Sequence, residues 1–226
     1  MNTQYEGGPA ASKTKILIVD DHPIVRQGLA ALINQQGDLA VCGHAANGRE
    51  AMTQIKALRP DLLTMDITLP DSGGLELMKN IKALYPELPI LVISMHEEGL
   101  YAERVLRAGA RGYIMKQEAT EKVVDAIHKV LSGQIYISDT MAEQMVRSLV
   151  AGGRKGPGTS VSNLSDRELE VFRLIGQGYS TRKIAEMLHL SIKTVETYRA
   201  HIKSKLNLED AAQLLQYAVQ WVNTEP

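Results

Sequence analysis

Three aspartates, a serine and a lysine are spaced along the first half of the chain so that each follows a short apolar run. Asp20 and Asp21 follow Ile16–Val19, Asp66 follows Leu62–Met65, Ser94 follows Ile90–Ile93, and Lys116 follows Gly112–Met115. If these runs are strands of one parallel sheet, their carboxyl ends form a single edge and the five side chains converge. Three carboxylates held close repel one another unless a cation lies between them, and oxygen donors with room for water suit Mg2+. The lysine adds a second positive charge and the serine a hydroxyl donor. These are the parts of a phosphoryl acceptor: a carboxylate nucleophile, cations facing the equatorial oxygens, and a hydroxyl able to follow the new phosphate. A single aspartate at a strand end is more often a helix cap or a solvated turn. The ordered set is what carries the reading.

A second set lies near the carboxyl end. The formal net charge of the chain is −1, yet Arg182–Lys205 holds six basic and two acidic residues. Local clustering of this kind serves nucleic-acid binding even when the total is bland. In Ile192–Leu206, the residues Ile192, Val195, Ile202 and Leu206 share one helical stripe and are expected to be buried. The opposite face offers Lys193, Thr197, Ala200 and Ser204, with His201 at its margin. Small polar groups with a few basic ones can enter a major groove and meet phosphates and base edges.

The elements that must position these residues follow from the same pattern. Apolar runs at Ile16–Val19, Leu39–Gly43, Leu62–Met65, Ile90–Ile93 and Gly112–Met115 alternate with amphipathic stretches near Ile24–Gln35, Gly48–Leu58, Gly74–Leu84, Leu100–Ala108 and Glu118–Leu131. Near-continuous apolar strands between helices indicate a parallel sheet covered on both faces, here an α/β doubly wound five-stranded fold of flavodoxin-like type. Residues 1–14 read as a loose tail, 15–131 as the α/β domain, and 132–159 as a connecting helix and Gly-rich linker. Residues 160–226 read as a small all-α four-helix domain of helix-turn-helix type. It opens with a capping box, Ser165 at the N-cap and Glu168 three residues on.

Composition sets the outer bounds. With 44% hydrophobic and 23% charged residues in 226, the chain can bury a core and is not disordered throughout. Cys42 is the sole cysteine, which excludes an intramolecular disulfide and a cysteine-based zinc site. No apolar run reaches membrane-spanning length and the first residues lack the pattern of a secretory signal, so a cytoplasmic protein without membrane contact is expected.

The motifs Ile-Leu-Ile-Val-Asp-Asp-His-Pro (16–23), Leu-Leu-Thr-Met-Asp-Ile-Thr-Leu-Pro (62–70), Val-Ile-Ser-Met-His (92–96) and Gly-Ala-Arg-Gly-Tyr-Ile-Met-Lys (109–116) resemble the receiver domain of two-component response regulators. Leu164-Ser-Asp-Arg-Glu-Leu-Glu-Val-Phe172, Lys193-Thr-Val-Glu-Thr-Tyr-Arg199 and Lys205-Leu206 resemble the LuxR-type helix-turn-helix domain, so the whole chain is similar to NarL/FixJ-type regulators. The resemblance implies Asp66 as phosphoacceptor, and Mg2+ held by Asp21, Asp66 and the Thr68 backbone carbonyl, with Asp20 acting through water. It implies Ser94 and Tyr113 as a switch pair beside Lys116. Lys193, Thr194, Thr197 and His201 are the implied DNA contacts, with Arg182 and Lys183 on phosphates. The implied partners are a sensor histidine kinase, promoter DNA with two-fold symmetry, and a second copy of the chain once phosphorylated; no enzyme turning over a separate substrate is implied. Gln117 stands where many receivers have proline after the lysine, and Asp71-Ser-Gly-Gly74 departs from the usual loop.

Two other readings stay open on the residues alone: a regulator whose first domain only docks a partner, and a phosphatase working through an aspartyl-phosphate. The second lacks the further aspartate such enzymes carry two positions on, because Thr68 stands there. Arg199 is expected to be structural. Helix phase places it near the buried stripe, and Glu168 is the carboxylate expected to pair with it.

Overall fold

The computed structural model describes residues 13–69, 73–95, 98–150, 161–188 and 190–224. The expected tail through residue 12, the Gly-rich linker 151–160, residues 71 and 72 of the loop after β3, and His96 lie outside them. The first domain alternates β1 (Thr14–Val19), α1 (Pro23–Asn34), β2 (Leu39–Ala45), α2 (Gly48–Leu58), β3 (Leu62–Met65), α3 (Gly74–Leu84), β4 (Ile90–Ser94), α4 (Glu98–Arg107), β5 (Gly112–Met115) and α5 (Ala119–Leu131). All neighbouring strands pair in parallel, in the order β2-β1-β3-β4-β5. The strand order reverses between β1 and β3, which opens a crevice at their carboxyl ends.

Strand alternation divides the interior. Ile16 and Ile18 face a core with Leu29 and Ile33 of α1 and Val123 and Ile127 of α5. Leu17 and Val19 face the opposite core with Ile55 of α2, Met78 and Ile81 of α3, and Val105 of α4. Because both faces are covered, β3 and β4 are buried along their whole lengths, which explains their unbroken apolar sequence. β2 extends beyond the expected Gly43 to pair Ala45 with Val19, past a register shift between Ile16 and Leu17. A bridge from Gly112 to Tyr136 carries the sheet edge past the end of α5. Helix α6 (Asp139–Val150) then follows, its Met141 buried in the core.

The second domain comprises α7 (Asp166–Gly176), α8 (Thr181–Met187), α9 (Ile192–Leu206) and α10 (Ala211–Thr224), preceded by a 3-10 turn at Val161–Asn163. Its N-caps follow the sequence: Ser165, Ser180 and Ser191 each accept a backbone hydrogen bond from the third residue of their helix. Gly178 takes φ 83°, a turn conformation that glycine enters without steric cost. Phe172 anchors the core against Tyr217 and Trp221, with ring centroids 5.8 and 5.4 Å apart. On α10, Leu214 and Ala218 are buried and Leu215 is exposed, so this helix mainly packs against the bundle.

The domains meet along a polar seam. Asp166, the first residue of α7, lies 3.0 Å from Lys79 of α3 and 3.1 Å from Arg104 of α4. Arg104 also donates to the carbonyl of Leu164 at 2.8 Å, and Arg167 reaches Glu76 of α3 at 3.3 Å.

Candidate functional site

The crevice at the carboxyl ends of β1 and β3 holds the acidic set. Asp20 and Asp66 are each 2% exposed, because their strands are sandwiched between helices. The ammonium of Lys116, carried there by β5, lies 2.6 Å from Asp20 Oδ2 and 2.7 Å from Asp66 Oδ2. Thr68 N–H donates to Asp66 Oδ1 at 3.0 Å, which fixes the carboxylate's rotation. The chain beyond it turns tightly enough that a Cβ on Gly74 would lie 2.4 Å from the Ile67 Cα, so only glycine allows α3 to start there.

The electrostatics of this crevice are those of a site short of positive charge. Burial pushes the Asp66 carboxyl above its ordinary value, with Lys116 and the Thr68 amide opposing the rise. Burial alone would lower Lys116, yet the Asp66 and Asp20 carboxylates hold it above the usual lysine value. Asp21 Oδ1 is a buried oxygen with no hydrogen-bond partner, although the His22 ring Nδ1 lies 2.7 Å away. With that imidazole as its one near neighbour, the oxygen keeps a lone pair for a cation. Asp20, Asp21, His22 and Asp66 bring ligand atoms within 4.8 Å of one another. Carboxylate oxygens in that arrangement fit a hard divalent cation such as Mg2+.

Ser94 is fully buried at the end of β4, and Tyr113 is 1% exposed with its hydroxyl paired to Ser94. Burial drives the Tyr113 phenol strongly upward, so it stays protonated. Tyr101 of α4 lies close enough to add to that shift, and it is itself buried against the domain seam. The structure therefore brings Asp20, Asp21, Asp66, Thr68, Ser94, Tyr113 and Lys116 to one edge of the sheet. Two further contributors come from the start of α1: His22, which the sequence already places beside the acidic pair, and Arg26, which went unread. His22 N–H donates to Asp20 Oδ1 at 2.8 Å, and Arg26 donates to the Asp20 backbone carbonyl at 2.6 Å. Their signal was present in the spacing: Pro23 starts α1 immediately after the acidic pair, so the first turn of that helix must face the crevice.

The second candidate surface is α9. Val195, Ile202 and Leu206 are buried as expected, whereas Ile192 is 43% exposed because it occupies the first turn beyond the packed interface. Lys193, Thr197, Ala200 and His201 are exposed, as are Arg182 and Lys183 on α8. Two hydroxyls of this set are committed locally. Thr194 Oγ1 sits 2.7 Å from the N-cap Ser191 Oγ, and Thr197 donates to the Lys193 carbonyl at 3.0 Å. Lys183 lies 3.6 Å from Glu186.

The expected pair between Arg199 and Glu168 is not formed. Glu168 is buried and bonded to Lys205 Nζ at 2.6 Å and to the Ser165 N–H at 2.7 Å, with His201 Nδ1 at 3.8 Å. The reason is helix phase. His201 and Lys205 are four apart and share the stripe of α9 that faces the start of α7, while Arg199 is two residues from His201 and points well away from it. The capping role of Glu168 is present in full. Although burial alone would raise it, Lys205 and the Ser165 amide hold the Glu168 carboxyl below the usual range.

Comparison with known proteins identifies the two domains that carry these surfaces. Residues 16–128 match the family described as response regulator receiver domain, and residues 162–218 match the family described as bacterial regulatory proteins, luxR family. The chain is 38% identical over 212 residues to the oxygen regulatory protein NreC of Staphylococcus carnosus, covering 91% of this chain and 97% of that one. It resembles the structure of RcsB from Salmonella enterica serovar Typhimurium bound to promoter DNA with the phosphomimetic BeF3−. That match has a TM-score of 0.66 at 27% identity, over 92% of this chain and 100% of the other. A LuxR-family two-component response regulator from Aurantimonas matches with a TM-score of 0.57 at 35% identity, over 62% and 99% of the two chains.

Proposed function

This chain belongs to the two-component response regulators that join a receiver domain to a LuxR-type DNA-binding domain, and on that premise we propose that its output is controlled by phosphorylation of Asp66. The observation that carries the proposal is the buried Asp66 carboxylate 2.7 Å from Lys116, its ligand oxygen within 4.8 Å of those of Asp20 and Asp21. One Asp66 oxygen forms the bond to phosphorus as the bond between phosphorus and an imidazole nitrogen of a sensor histidine kinase breaks, and the imidazole leaves. Asp21, Asp66 and the Thr68 carbonyl, with Asp20 through water, are the residues that would hold Mg2+, which supplies charge stabilisation on the transferring group. Lys116 faces the added phosphate with its ammonium. Ser94 turns its hydroxyl toward the new oxygens, and Tyr113 follows into the space Ser94 leaves. Because the phosphoryl group ends on the protein itself, the domain is a switch rather than an enzyme with a separate substrate.

The route outward runs through α4. Tyr101 stands between Tyr113 and the seam, and Arg104, one turn on, ties the start of α7. A shift of α4 therefore loosens the seam and frees the second domain. In the cytoplasm, two phosphorylated copies then place Lys193, Thr194, Thr197 and His201 of each α9 into successive major grooves of a two-fold symmetric promoter site, with Arg182 and Lys183 on phosphates. Intact-mass measurement after incubation with Mg2+ and a small phosphodonor tests the reading. One stable phosphoryl group per chain, with none taken up when the metal is chelated before the donor is added, is the expected result. No uptake leaves only a docking domain, and rapid donor turnover without an adduct indicates a phosphatase; either overturns the proposal.

A further inference from the structure

The basic stretch Arg182–Lys205 contains two acidic residues, Glu186 and Glu196. Glu186 is paired with Lys183 at 3.6 Å. The other described carboxylates of the second domain are engaged too, Asp166, Glu168 and Glu170 in ion pairs and Glu209 and Asp210 in hydrogen bonds. Among the described residues of that domain, Glu196 alone has a carboxylate with neither. Lys193 and Arg199 each lie three residues from it, yet neither is paired with it. Glu196 is exposed on α9, three residues after Lys193 and four before Ala200, so it adjoins the face that carries them. A carboxylate beside a DNA-facing surface is repelled by the phosphates, and it is unfavourable there unless a donor on the DNA meets it.

We infer that Glu196 is a specificity-determining residue that reads a cytosine in each half-site. In the major groove cytosine presents its N4 amine, a donor from which a carboxylate oxygen accepts. Guanine presents N7 and O6, and thymine presents O4; these are acceptors and repel a carboxylate. Adenine sets its N6 donor beside the N7 acceptor, a pair that suits an amide better. Glu196 lies in the second turn of α9, and the N-terminal residues of a recognition helix are those that reach base edges. The neighbouring hydroxyls are already occupied, Thr194 with Ser191 and Thr197 with the Lys193 carbonyl, which leaves the carboxylate as the open acceptor on this part of the helix. Its charge lowers affinity for every sequence, and the cytosine contact restores it at one base only. Discrimination is gained at the expense of affinity. The inference rests on α9 entering the major groove as proposed above.

Selection of duplexes from a random pool tests the assignment, using the full chain and its Glu196→Ala variant, each treated with Mg2+ and a small phosphodonor. The unaltered chain is expected to select half-sites with a fixed cytosine, and Glu196→Ala to lose that preference while keeping the others. Exchanging this cytosine for thymine in one half-site is expected to weaken the unaltered chain at least about fivefold and Glu196→Ala less than about twofold. On unrelated duplex, Glu196→Ala is expected to bind more tightly than the unaltered chain, because a repelling charge is gone. Identical selected sites for the two proteins overturn the inference, as does loss in the variant of a preference for a base other than cytosine. Half-sites of the unaltered chain without a fixed cytosine overturn it with no variant needed. Selection of no sequence by either protein overturns the promoter reading of α9 as well.

Discussion

Asp66 and Glu168 are both buried carboxylates, and each has a lysine ammonium within hydrogen-bonding distance, at 2.7 and 2.6 Å. Their proton affinities nevertheless move in opposite directions, Asp66 up and Glu168 down. The difference lies in what else surrounds them. Asp66 shares its lysine with Asp20, has a second carboxylate nearby, and receives one backbone amide. Glu168 has Lys205 to itself, closes a capping box, and sits where the lysine remains partly in water. The first arrangement leaves negative charge uncompensated and ready for a metal and a phosphoryl group. The second satisfies its carboxylate and pins two helices together. Burial alone does not distinguish a reactive carboxylate from a structural one; the balance of partners does.

The largest effect expected from breaking this comparison is on phosphoryl uptake. Asp66→Asn is expected to abolish uptake of the phosphoryl group, measured by intact mass, because an amide of nearly the same shape is a poor nucleophile. Glu168→Gln is expected to take it up at the wild-type rate. Next is Lys116→Ala, which keeps the carboxylates for Mg2+ but removes the ammonium facing the phosphate. Metal titration followed by a DNA-binding assay should show retained metal affinity and loss of the phosphorylation-dependent gain in binding.

Effects on stability are smaller. Glu168→Gln keeps an oxygen for the capping box but strips Lys205 of its charged partner, at a cost of about 1–2 kcal/mol by chemical denaturation. Lys205→Ala should cost less, under about 1 kcal/mol, since that side chain is 41% exposed and its pair is screened. Arg199→Ala should change stability by no more than about 0.5 kcal/mol; a larger loss than Lys205→Ala would restore the pairing that helix phase rules out.

The smallest effects are in pH dependence, and their signs are opposite. The folded-state value of Asp66 is raised, so its ionisation disfavours folding above that value and the penalty is relieved as pH falls toward the ordinary carboxylate range. In chelator, Asp66→Asn should therefore be more stable than wild type at neutral pH, with the gap closing as pH falls to about 4. The folded-state value of Glu168 is depressed, so its contribution is complete above the ordinary glutamate value and is lost as pH falls through the folded one. The deficit of Glu168→Gln should accordingly shrink only below about pH 4.5.

The receiver crevice was legible because chain order and strand ends determine it. Once five apolar runs form one parallel sheet, Asp20, Asp21, Asp66, Ser94 and Lys116 have nowhere to go but its carboxyl edge. Glu168 was legible as a capping residue for the same local reason. Its ion-pair partner was not, because the choice between Arg199 and Lys205 depends on where α9 crosses α7, and neither helix encodes that crossing in its own periodicity. The seam was hidden too. Lys79, Arg104 and Asp166 each read as ordinary surface charges until the two domains are brought together.

The most direct test of the central claim locates the phosphoryl group itself. After loading with a small phosphodonor and Mg2+, borohydride reduction converts an aspartyl-phosphate to homoserine, and peptide mass mapping reports its position. The account predicts homoserine at position 66 and at no other aspartate. Homoserine at position 20 or 21, or modification that persists in Asp66→Asn, would contradict it.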